Sequence, residues 1–177
     1  AGELAPTVAI GPGTWQGTWR AGAWRLRGVV PVAAPGASWA ELRLPVPGAV
    51  AAVRQEPLAG AAVPPAPAWR MQDGALVLGL PPRSQASIVI DAELAAPAEA
   101  GVSAAFPPGG SLVLDAGAGM VASVDGVPAT AAVGLPVGLQ PVTLLVAPPA
   151  AAIDSGSLGL TQAVLLEHRG DHVAWSA

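Results

Sequence analysis

An all-β fold, an antiparallel β-sandwich of the immunoglobulin-like or jelly-roll-like kind, is what this sequence predicts, and three observations predict it. Short apolar runs with period-two alternation or β-branched character recur along the chain, the pattern of strands buried on one or both faces. Twenty prolines and 22 glycines separate those runs; an interior proline costs a helix about 3 kcal/mol, so few stretches remain that could hold one. Asp-Gly occurs twice between strand-like runs, at Asp73-Gly74 and Asp125-Gly126, where a tight hairpin turn needs positive φ.

Eleven runs read as strands: Ala23 to Val32, Ser38 to Leu44, Ala49 to Glu56, Ala68 to Gln72, Ala75 to Leu80, Ala86 to Leu94, Ser111 to Asp115, Met120 to Val124, Gln140 to Val146, Leu158 to Glu167 and His172 to Trp175. Leu-Pro at 44–45, 80–81 and 135–136 ends runs where a proline stops further pairing and guards an edge. The alanine-rich stretch Leu94 to Ala105 could form a helical turn or two, but Pro97 and Gly101 limit it. With Phe106-Pro107-Pro108-Gly109-Gly110 it reads as a linker or long loop. The expected organisation is therefore a sandwich domain at 1–95, a Pro/Gly/Ala-rich connection at 96–110, and at 111–177 either a second small β-domain or the second half of one larger sandwich. A length of 177 residues accommodates both arrangements.

Composition narrows the partners. Lys, Asn, Tyr and Cys are absent, a bias that follows, Cys apart, from a GC-rich genome, bacterial or phage. All positive charge rests on eight arginines against twelve carboxylates, a net charge of −4 with no basic run, which argues against a nucleic-acid footprint. Zero Cys rules out disulfides and thiolate metal sites. Every apolar run is interrupted before the roughly 20 residues that span a bilayer. The first residues, Ala1-Gly2-Glu3, fit a chain matured by signal-peptide cleavage, and equally removal of Met before Ala or a trimmed fragment.

The most concentrated feature is Trp15, Trp19 and Trp24 within ten residues, in a chain with six Trp, one Phe and no Tyr. In a continuous strand Trp15 and Trp19 share a face, and Trp24 joins them only if Ala21-Gly22 bends the chain. Two readings follow. With Trp39 the indoles form a platform on which a sugar ring or other planar ligand stacks, Arg20 and Arg25 donating hydrogen bonds; or they fill the core of a chain whose other apolar residues are small.

Glu167-His168-Arg169-Gly170-Asp171-His172 gathers both histidines and two carboxylates. A turn there could bring His168, His172, Asp171 and Glu167 together on a divalent metal, although the spacing fits no specific motif and a polar hairpin turn explains it as well. The Arg169-Gly170-Asp171 triplet resembles an integrin-binding motif by chance composition. Asp91 and Glu93 share a strand face, as paired carboxylates for glycoside hydrolysis would, or as a solvated face does. Asp115, Asp125 and Asp154 lie near turns without a calcium-loop pattern. No nucleophile elbow or phosphate loop is present, and no cofactor is expected.

The sequence thus leads to an expectation of a non-catalytic β-module at a cell exterior, periplasm or particle surface, recognising a glycan or other surface ligand. The alternative expectation is a structural subunit of a particle, fibre or envelope complex, a homo-oligomer or a partner of other proteins. A charged fraction of 11% motivates it, since a monomer ordinarily carries more surface charge.

Overall fold

A computed structural model describes residues 8–57, 66–150, 165–169 and 172–176, the last two segments as backbone strands. It is all-β, with no helix among the described residues and several antiparallel sheets packed as in a β-sandwich. In particular, no described helix is long and apolar enough to cross a membrane.

Among the described residues sixteen strands follow in order: β1 (Ala9–Ile10), β2 (Gly13–Arg20), β3 (Ala23–Ala34), β4 (Ala40–Pro45), β5 (Ala49–Pro57), β6 (Trp69–Gln72), β7 (Ala75–Leu80), β8 (Ser84–Ala95), β9 (Val102–Ala104), β10 (Gly110–Asp115), β11 (Val121–Val124), β12 (Val127–Pro128), β13 (Val133–Gly134), β14 (Val142–Ala147), β15 (Leu165–Arg169) and β16 (His172–Ser176). Each of the eleven expected runs holds a strand, the run from Leu158 only in its last residues because 158–164 lie outside the described residues. Both Asp-Gly pairs are hairpin turns with positive φ at each residue: Asp73-Gly74 joins β6 to β7 and Asp125-Gly126 joins β11 to β12.

The large sheet runs β13-β10-β2-β3-β8-β5, with β1 also on β3. Its spine is the antiparallel pair β3–β8, in register from Ala23↔Ala95 to Ala34↔Ser84. Along β3 the even residues Trp24, Leu26, Val30, Val32 and Ala34 are buried, and on β8 their partners' row Ala86, Ile88, Ile90 and Ala92 is buried too, as a strict period of two requires. Pro31 sits inside this central strand, where a missing N–H ordinarily breaks a ladder. Here it faces the Gly11-Pro12 break between β1 and β2, and its carbonyl accepts from Gly11 N at 2.8 Å. N–H and C=O of one strand residue point the same way, so the absent donor falls on the side of the short β1 and the β3–β8 ladder loses no bond at Pro31.

Two smaller sheets complete the core: β4-β7-β6, supplying Leu42, Leu44, Leu76, Leu78 and Leu80, and β12-β11-β14-β9, supplying Ala122, Val124, Val142, Leu144 and Val146. Their buried residues belong to one cluster with the even face of β3. Residues 96–110, expected as a connection, include strand β9 and the first residue of β10, which pairs parallel with β2 from Gly110↔Gly13 to Asp115↔Thr18. Strands from both expected parts therefore lie in one sheet. The close approach of β10 to β2 needs glycine: a Cβ on Gly110, whose φ is +98°, would collide with the carbonyl oxygen of Gly13.

An exposed tryptophan trough as candidate functional site

The tryptophan cluster is resolved by a turn. Ala21 and Gly22 have φ of 51° and 80°, the two positive values of a two-residue hairpin, and Trp19 consequently pairs directly with Trp24 across β2–β3. Cross-strand partners share a face, so Trp15, Trp19 and Trp24 all point inward. Trp15 is 1% exposed and Trp24 0%. Trp15 meets Phe106 edge-on, with ring centroids 5.2 Å apart at 78°, and Trp19, half-buried, donates its Nε1–H to the Ala96 carbonyl at 2.8 Å.

Arg20 and Arg25 alternate to the opposite face of the same hairpin. Thr18, which pairs with Arg25, and Gln16 share that outer side, while Gly17 and Trp15 are buried. The expected platform is thus not assembled: Trp15 and Trp24 are core, Trp19 lines the core's edge, and the two arginines are on the other side of the sheet. The physical reason is parity, since the two-residue turn restores to Trp24 the facing it would lack in a straight strand.

Trp39 has a different fate. It stands just before β4 and is 68% exposed. Alternation puts it on the outer face of the three-stranded sheet with Glu41 and Arg43, while Ala40, Leu42 and Leu44 are buried beneath. On the middle strand β7, Gly79 lies opposite Glu41. It has no side chain, and a Cβ built there would sit 3.8 Å from two carbons of the Trp39 benzenoid ring. The indole therefore leans over bare backbone.

The Asp73-Gly74 hairpin fixes β6 against β7 and brings Arg70 opposite Val77. From there its Nη2 reaches Glu41 Oε2 at 3.0 Å, an ion pair that crosses β7 from one edge strand to the other. Arg70 Nη2 also donates to Gln72 Oε1 at 3.4 Å, and Arg43 meets Asp73 at 3.6 Å. The outcome is an open trough of about 340 Å³ lined by Trp39, Glu41, Ala68, Trp69, Arg70 and Gly79, with a second groove of about 190 Å³ that Trp39 also lines, together with Pro67 and Pro81. Trp69, paired with buried Leu78 and 38% exposed, also borders the trough.

The remaining expected sites divide plainly. Asp91 is gripped by Arg27 at 2.8 Å and Arg54 at 3.1 Å, and the hydrogen bond from Arg27, with the charges of both arginines, holds its carboxyl below the ordinary value despite the opposing effect of burial. Glu93 lies two residues further along the same outer face. Asp115 accepts from Gly117 N at 2.9 Å and Asp125 from Thr143 N at 2.7 Å, so each orders its own turn or neighbouring strand. Asp154 and Asp171 lie outside the described residues. β15 and β16 pair antiparallel with Arg169 opposite His172 and His168 opposite Val173; the side chains of Glu167, His168 and His172 are not among those described. No group of three metal-ligating side chains occurs among the described residues.

A further surface has a distinct character. From Gly126 to Ile153 the chain contains no charged residue, and within it Val137 is 84% and Leu139 73% exposed, with Val127 also open. A groove of about 430 Å³ borders them between Val124, Val127, Val133, Pro136 and Pro141.

No protein-family model and no curated protein matches the chain.

Proposed function

We propose that this protein is a non-catalytic recognition module acting at an extracellular, periplasmic or particle surface, and that it holds its ligand in the trough beside Trp39. The observation that carries the reading is the exposure of Trp39. Tryptophan is the largest apolar side chain, and its indole is left to solvent over a floor cleared by Gly79, with a carboxylate and a guanidinium beside it. Large exposed aromatic surface bordered by polar groups is the usual dress of a binding site. Glu41 is presented by β4 and Trp39 stands directly before it, and the other face of β4 is packed with Leu42 and Leu44, so the core supports the site from beneath.

Light scattering across a concentration series, with acrylamide quenching of tryptophan fluorescence on the same samples, tests this. The expected outcome is a monomer whose tryptophan fluorescence is readily quenched, Trp39→Ala removing the larger share of that quenching and leaving that of the partly exposed Trp69. An assembly in which Trp39 is shielded overturns the reading.

The exposed apolar residues Val127, Val137 and Leu139 favour a second reading, a structural subunit whose apolar surface is covered by neighbours in an assembly. In that case the mass rises with concentration, and a Val137→Asp, Leu139→Asp double variant returns it to the monomer.

A further inference from the structure

Resting on the recognition reading, we infer that the ligand of the Trp39 trough is a neutral saccharide, one pyranose ring lying on the indole with its hydroxyls directed to Glu41 and Arg70. The trough has one apolar wall and one polar wall. A pyranose has the matching anatomy: a face of C–H groups and a rim of hydroxyls that both donate and accept. The Trp39 face can take the C–H side, the Glu41 carboxylate can accept from one hydroxyl, and the Arg70 guanidinium, with donors left over from its bond to a single carboxylate oxygen, can donate to its neighbour.

Charge balance decides between neutral and acidic sugars. Both cations on this face are already matched, Arg70 by Glu41 and Arg43 by Asp73. An acidic sugar would have to compete with a carboxylate 3.0 Å from Arg70 and would gain no uncompensated positive charge. A neutral polyhydroxylated ring needs only the spare hydrogen-bonding capacity of the pair.

A peptide is the less suitable occupant on this geometry. The floor of the trough is the middle strand β7, paired on one side with β4 and on the other with β6, so its backbone cannot take up an added strand. Proline-rich segments bind between several parallel aromatic ridges, whereas here Trp39 alone stands clear of the surface, Trp69 bordering the trough from β6 at 38% exposure.

The test uses the full chain on one array bearing neutral glycans, sialylated and sulfated glycans and immobilised decaproline, followed by fluorescence titration with the best neutral oligosaccharide. Expected are retention on neutral glycans alone and a saturable tryptophan change with a Kd of about 1 mM or tighter, the range of a shallow single-ring site. Trp39→Ala should abolish both with an unchanged melting temperature, and Glu41→Gln with Arg70→Gln should weaken binding at least tenfold while leaving Trp39 quenchable. Retention only on acidic glycans or on decaproline, or on nothing while Trp39 stays quenchable, overturns the saccharide assignment and leaves the recognition reading standing. Shielding of Trp39 in an assembly removes both.

Discussion

The six-membered ring of Trp15 rests on the backbone of Gly28, its partner across β2–β3: a Cβ on Gly28 would lie 2.5 Å from two ring carbons. Glycine is required there for packing, not for backbone conformation. Gly28→Ala should destabilise the protein by about 1–3 kcal/mol through overpacking, read as a lowered urea midpoint. Gly134→Ala, where nothing lies within 4 Å of the added carbon, should change stability by no more than about 0.5 kcal/mol.

The hairpin that folds the tryptophan cluster inward carries Ala21 at φ 51°. An alanine in this left-handed region costs about 1 kcal/mol relative to residues that adopt it readily. Ala21→Gly or Ala21→Asn should therefore raise stability, by up to about 1 kcal/mol, seen as a higher melting temperature with an unchanged near-ultraviolet circular dichroism spectrum.

Trp24 and Trp39 are the same residue type with opposite roles. Trp24→Ala should cost about 3–5 kcal/mol by opening a cavity at the centre of the core. Trp39→Ala should cost less than about 0.5 kcal/mol. Equal losses in chemical denaturation would show that Trp39 is structural and would count against the trough as a ligand site.

Between its two arginines, Asp91 links stability to pH. Its folded-state carboxyl titrates below its ordinary value of 3.8, so the ion-paired network contributes its full share of stability above pH 3.8 and loses it as pH falls through the lowered folded value. The difference in unfolding free energy between the wild type and Asp91→Asn should be constant from neutral pH down to the ordinary carboxylate range and shrink below it. High salt should reduce the difference, because Arg27 is solvent-exposed.

Trp19 provides a second, local check on the core's edge. Trp19→Phe removes the donor to the Ala96 carbonyl and should cost about 0.5–1.5 kcal/mol, with faster amide exchange at Ala96, whose own N–H donates to Gly22 O.

By itself the sequence determined the fold class and most strand positions, because those depend on local causes. Proline excludes helix, period-two alternation marks strands, and Asp-Gly supplies positive φ at Asp73-Gly74 and Asp125-Gly126. Strand β2 was not evident from apolar pattern because its inward positions alternate tryptophan with Gly13 and Gly17. Counting those glycines as inward-facing, and reading Ala21-Gly22 as a turn, would have revealed both β2 and the common facing of its indoles. What only the tertiary structure decided are relations between distant segments. The parallel pairing of β10 with β2, which places both sides of the 96–110 segment in one sheet, depends on a backbone approach at Gly110 and Gly13 that no local pattern encodes. The trough likewise depends on β4 lying beside β7, so that Gly79 clears the floor under Trp39 and Glu41 meets Arg70 across it. Alternation along a strand is set by the chain's own stereochemistry, whereas the choice of neighbour is set by which faces bury together, and that is a property of the assembled core.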